Sequence, residues 1–264
     1  MRSVRAEWTK LRTLPGAAWL LAALAVLTIG LSAVVAWSLD GRGCTGPAGC
    51  DPDLTRFSLA GVYAGQVAAA VLGALAATSD YASGTIRPTM LANPRRGEVL
   101  AAKAAVVTGL VLAAALLGVL GSVLAGRLLL PGNGFTPARG YQLPSLADGP
   151  TLRAAAGTVL YLTLVALLAL GLGMAVRDTA ATLTAVLALL FLTPMLAPFV
   201  TDPVWQRRLD RSAPMTAGLA VQATKRLAEL PIGPWAGLSV LAGWAAAGVL
   251  AGAARFVATS PPPQ

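Results

Sequence analysis

Cys44 and Cys50 are the only cysteines of the chain, and five residues separate them in the stretch CTGPAGC. Gly46, Pro47 and Gly49 supply the turn chemistry that lets so short a segment fold back on itself. In an oxidising compartment the two thiols would close a disulfide, and so small a ring would stabilise by about 2 kcal/mol. The alternative is a pair of free thiols. A metal centre would need further ligands, and the chain has no histidine at all.

Other reactive side chains are just as sparse. The absence of histidine removes the commonest general base. Only 11 acidic residues are present, in loops or at the edges of apolar runs. The one close pair, Asp51 and Asp53, flanks a proline, a pattern that fits a solvated turn better than an acid–base dyad. There is no G-x-x-x-x-G-K-[ST] for a nucleoside triphosphate, no dinucleotide fingerprint and no G-x-S-x-G elbow. The expectation is a chain with no catalytic residues, no metal and no cofactor, not an enzyme by itself.

The elements that carry these residues are read from composition. Hydrophobic residues make up 56% of the 264, charged residues 12%, and the mean hydropathy is +0.70. A soluble domain carries about twice that charge. The apolar residues come in six uncharged runs, 14–37, 57–78, 104–126, 154–176, 180–200 and 234–254, each long enough to cross a membrane as a helix. The expected fold class is an all-α integral membrane protein with six transmembrane helices. The first run is too long for the core of a signal peptide and no A-x-A pattern closes it, so it reads as a retained anchor.

Residues 1–13 read as a short interfacial helix. Val4, Trp8 and Leu11 share one face while Arg5, Lys10 and Arg12 point elsewhere, and Trp8, Lys10 and Arg12 are the expected anchors in membrane lipid. The basic residues of this segment place the N-terminus in the cytoplasm, and six spans return the tail, 255–264, to the same side. Across the whole chain Lys and Arg divide evenly between the two sides, so the first helix decides. The net charge of +9 then belongs to loops that meet anionic headgroups, with no nucleic-acid partner. Seventeen arginines against three lysines, with abundant alanine, point to a bacterial chain and hence to the plasma membrane.

Within the spans no ionisable group is available to couple transport to an ion gradient. Tyr63, Gln66 and Tyr161 are the candidate pathway residues. Gly61-x-x-x-Gly65 and Gly248-x-x-x-Gly252 permit close helix approach. Pro194 and Pro198 should bend the fifth span. The stretch MTAGLAVQATKRLAEL in the last outer loop is too short and charged to span, and reads as a surface or re-entrant helix.

One polar interruption stands out, residues 79–103, between spans two and three. Asp80 can cap a helix, Asn93-Pro94 marks a turn, Glu98 suits a helix N-terminus, and Lys103 can snorkel to the interface. The residues alone fit an ordinary positive-inside loop, and equally a short cytoplasmic elbow with a basic rim. EWTKLRT before the first span and TSDYASGTIRPTMLANPRRGEVLAAK after the second resemble the permease subunits of second-class, ABC2-type exporters, most of all actinobacterial members. APMTAG and PIGPWAGLSVL resemble the family's last outer loop and sixth span. The family more often has glutamate at the position of Asp80, and its arginine-rich tail is replaced here by RFVATSPPPQ.

The resemblance implies that the elbow contacts a separate cytosolic ABC ATPase subunit. It makes Asp80, Tyr81, Gly84, Thr85, Arg87, Arg95, Arg96 and Glu98 coupling residues. It further implies a translocation unit of two permease chains, a homodimer, exporting a substrate that the sequence does not name. A non-transporting membrane anchor that recruits a cytosolic partner through the same elbow is the alternative expectation.

Overall fold

A computed structural model describes residues 15–44, 46–47, 49–82 and 96–258. The interfacial segment with Trp8, Lys10 and Arg12 lies outside the described residues, as does most of the elbow, including Gly84, Thr85, Arg87 and Arg95. Among the described residues the protein is all-helical, without a strand, and six helices are long and apolar enough to cross a membrane. It is a multi-pass membrane protein.

The helices are α1 (Pro15–Ser38), α2 (Leu54–Ser58), α3 (Val62–Ala82), α4 (Arg96–Leu129), α5 (Gly149–Val176), α6 (Thr179–Leu196), α7 (Pro203–Ser212), α8 (Pro214–Leu219) and α9 (Pro234–Ala258). The six long ones are α1, α3, α4, α5, α6 and α9. They alternate in direction. The loops after α1, α4 and α6 therefore gather at one end of the bundle, the disulfide face, and the α5–α6 link lies at the other.

The apolar run 57–78 does not form one helix. It breaks at Leu59–Gly61, between α2 and α3, because Ser32 of α1 offers a better partner there. Its Oγ accepts the Gly61 amide at 2.9 Å, and a Cβ at Gly61 would run into the Thr28 carbonyl. Glycine is what lets the broken chain lie against α1. The opposite difference occurs in α4, whose 34 residues extend well beyond the run 104–126. At 1.5 Å per residue it is about 50 Å long. Lys103, expected at the interface, is instead 2% exposed, and its Nζ donates to the Ala76 carbonyl at 3.2 Å. In α6 the helix holds Pro194 and ends at Leu196, followed by a 3-10 turn at Ala197–Phe199.

α3 and α5 form the centre, with 67% of each apolar window buried, whereas α1 and α6 bury only 17% and turn their apolar side chains outward. Such outward faces suit lipid. Glycine seams hold the centre together. Gly171 of α5 meets the backbone of Gly248 and Val249 in α9, Gly252 meets Gly171 and Met174, and Gly73 of α3 meets the Ala166 backbone. Gly61 and Gly65 face Thr28 of α1. Both small-residue pairs read from the sequence are thus used within the chain.

Candidate functional site

At the disulfide face, Cys44 and Cys50 are bonded, with Cα atoms 5.6 Å apart. The ring docks on the loop after α4, where Tyr141 donates its hydroxyl to the Cys50 carbonyl at 3.2 Å. Phe135 and Tyr141 pack edge to face, centroids 5.1 Å apart, and close a small second core with Ala36, Leu54 and Leu130. Asn133 Nδ2 ties this loop to the end of α1 through the Ala36 and Trp37 carbonyls, both at 3.0 Å.

Asp51 is exposed and Asp53 half-buried, and both do more than turn the chain. Asp53 caps α2 by accepting the Arg56 amide at 3.0 Å. The same carboxylate accepts the amides of Thr224 (2.6 Å) and Lys225 (3.1 Å) and the Thr224 hydroxyl (2.7 Å). Asp51 pairs with the Lys225 ammonium. The two acids therefore tie the start of the second span to the loop before the sixth.

The segment 213–223 enters the bundle from this face. For its part of the last loop the sequence left a surface and a re-entrant helix open, and the burial of the segment fits the re-entrant one. Met215, Ala217, Gly218, Leu219, Val221 and Gln222 are all buried. It fits because glycine on one side meets bulk on the other: Gly157 receives Val221, the segment's own Gly218 lies against the Tyr161 ring, and Gly237 lies on the Ala217 carbonyl. Two glutamines pin it. Gln222 Nε2 donates to Thr158 Oγ1 at 2.9 Å and to the Leu59 carbonyl at 3.4 Å. Gln66 Nε2 points at Met215 Sδ, 3.6 Å away, and Gln66 Oε1 accepts the Tyr161 hydroxyl at 2.5 Å. A cleft of about 820 Å³ opens between α1, the α2–α3 corner and the 222–230 segment, and a chamber of about 300 Å³ adjoins it beneath α7. Arg56, Tyr63 and Leu230 line both.

The structure thus gathers the three candidate pathway residues. Tyr63 is 39% exposed on the cleft wall, while Gln66 and Tyr161 lie below it with no exposure. Asp210 of α7 lines the smaller chamber, and burial raises its pKa above the usual carboxylate value.

At the opposite end lies the described part of the expected coupling region. The Arg177 guanidinium stacks on Tyr81, 5.5 Å from its ring centroid, and Arg177 Nη2 donates to the Arg255 carbonyl at 3.2 Å. Arg177 takes up a left-handed conformation, φ +66°, at the end of α5. Thr78 and Thr179 share a 2.7 Å hydrogen bond. Glu98 is exposed in the first turn of α4. Asp80 and Arg96 are placed by their helices alone.

Two features escaped the sequence reading. One is α7, PVWQRRLDRS, an exposed amphipathic helix in which Arg208 stacks on Trp205 at 5.3 Å. An interfacial tryptophan followed by arginines was its signal. The other is the cleft, whose walls come from three distant parts of the chain. No family model matches the sequence, and no curated protein matches it.

Proposed function

We propose that the protein is the membrane permease subunit of an ATP-driven ABC2-type exporter, working as a homodimer in the bacterial plasma membrane. Both termini and the elbow 79–103 face the cytoplasm in this reading, and the disulfide face lies outside, where oxidising conditions keep Cys44 and Cys50 bonded. A cytosolic ABC ATPase pushes the elbow, and α3 and α4, which it joins, transmit the push.

The observation that supports this reading most is the arrangement at α3. One end of that helix carries Tyr81, stacked under Arg177. The other end carries Tyr63, on the cleft wall, and Gln66, against Met215 of the re-entrant segment. A movement applied at the elbow would reach both the α5–α6 link and the seal at Gln66–Tyr161. The seal is uncharged, so opening it exposes no ion pair and requires no titration.

The test is purification from native membranes, with a P-loop ATPase expected to copurify and to turn over ATP faster in the presence of this chain. Arg95→Glu with Arg96→Glu should abolish the stimulated turnover while the chain stays in the membrane. Undiminished turnover in that variant, or a native complex with no ATPase, overturns the proposal.

A further inference from the structure

We infer that Arg177 is a latch that holds the elbow end of α3 to α5 and α9, and that this latch keeps the Gln66–Tyr161 seal shut. Its backbone is the first sign. Arg177 closes α5 in a left-handed conformation, φ +66°, which glycine enters freely and a residue with a Cβ only at a cost. Glycine is the usual occupant of such a helix cap. An arginine there is explained by what its side chain reaches.

α3, α5 and α9 run in the same direction and end at this face, at Ala82, Val176 and Ala258. Arg177 touches all three ends. It follows α5 directly, and its guanidinium carbon lies over the Tyr81 ring in the last turn of α3, 5.5 Å from the centroid. Its Nη2 donates to the Arg255 carbonyl in the last turn of α9 at 3.2 Å. Both contacts favour a cation, one on an aromatic face and one at a partly negative helix end. Among the described residues α3 and α9 each pack along α5 but share no extended contact with each other. Thr179 adds a 2.7 Å hydrogen bond to Thr78 of α3.

The same three helices bracket the re-entrant segment at their other ends. Gln66 of α3 meets Met215, Gly157 of α5 receives Val221, and Gly237 of α9 lies on the Ala217 carbonyl. Parting Gln66 from Tyr161 requires α3 to shift against α5, and Arg177 opposes that shift from the opposite face. The latch itself rests on these contacts alone. That an ATPase releases it rests on the transport reading above.

Hydrogen exchange on the full chain in phosphatidylcholine nanodiscs tests the latch without any ATPase, so its failure is separate from failure of the transport reading. Arg177→Gly keeps the left-handed turn and removes the side chain. Exchange should quicken by about tenfold at 79–82 and 252–258, the scale of one charge-assisted contact. The amides of the re-entrant stretch 215–222 should quicken too, and those at 158–170 in α5 should not change. Tyr81→Leu should quicken the α3 end alone, since Arg177 still reaches the Arg255 carbonyl. Unaltered exchange at either helix end or at 215–222 in the folded Arg177→Gly variant overturns the inference. Uniform quickening through α5 also overturns it, as the mark of a general loss of stability. If that variant does not fold, Arg177→Lys decides, because it keeps the charge without the planar fork. Full protection at both helix ends in the lysine variant then overturns the inference. A second arm uses the complex with its copurified ATPase. ATP should quicken both helix ends in the unaltered chain and add nothing in Arg177→Gly, where the latch is already open. A full ATP response in that variant overturns the latch, whereas no response in the unaltered chain counts against the transport reading.

Discussion

Tyr161 donates its hydroxyl to Gln66 Oε1 across 2.5 Å, joining the middle of α5 to the second turn of α3, and neither side chain has any exposure. Both groups have given up water, so each depends on the other. Tyr161→Phe strands the glutamine oxygen and should cost about 1–3 kcal/mol in detergent unfolding. Gln66→Leu should cost a similar amount. The double variant should lose less than the two singles summed, because no polar atom is then left buried. A fully additive double variant would show that the contact carries no coupling.

Asp53 concentrates four acceptor contacts on one carboxylate. Asp53→Ala should therefore release the 222–230 segment while leaving the long helices in place. Hydrogen exchange should report it: faster exchange at the Thr224 and Lys225 amides, with the amides of α5 unchanged. Unaltered protection at 224–225 would mean that this loop is held by something else.

Glycine positions separate into two kinds with opposite expectations. At Gly171 a Cβ meets the Gly248 and Val249 backbone, whereas at Gly109 and Gly243 it meets nothing. Gly171→Ala must push α9 away and should destabilise by about 1–3 kcal/mol, the usual cost of overpacking. Gly109→Ala and Gly243→Ala should stabilise by up to about 1 kcal/mol through helix propensity. Thermal unfolding of the three variants side by side checks the sign of each.

Partial burial raises the pKa of Asp210 above the ordinary carboxylate value. Between the unfolded and the folded pKa the native chain binds more protons than the unfolded one, so stability falls as pH rises through that window. The charged groups near it are Arg56, which lines the same chamber, and Arg207, Arg208 and Arg211 on its own helix. Asp210→Asn should remove the loss. Its melting temperature should exceed that of the unaltered chain at pH 7, and the two should converge as the pH drops into the carboxylate range. Parallel pH profiles would exclude Asp210 as the source.

The spans were legible because a bilayer leaves only long uncharged runs as candidates, and α1 begins and ends within one residue of its reading. Where boundaries moved, a tertiary contact was responsible. α4 continues past Lys103 because that ammonium finds the Ala76 carbonyl, which no charge-free window anticipates. The run 57–78 breaks because of Ser32, 29 residues from the amide it receives. Tyr63, Gln66 and Tyr161 could be picked out as polar groups in apolar stretches, and two of them, Gln66 and Tyr161, do meet. The tether between Asp53 and Thr224 could not, since it spans 171 residues and both sit in ordinary loop sequence. Cys44 and Cys50 were readable at short range, as turn chemistry always is.

At Gly171 and Gly248 main chain meets main chain, so α5 and α9 can come no closer. That pair is a fixed post. Any narrowing of the bundle must then come from helices that swing about it, and α1 and α6, each burying so little of its surface, have the greatest freedom to do so.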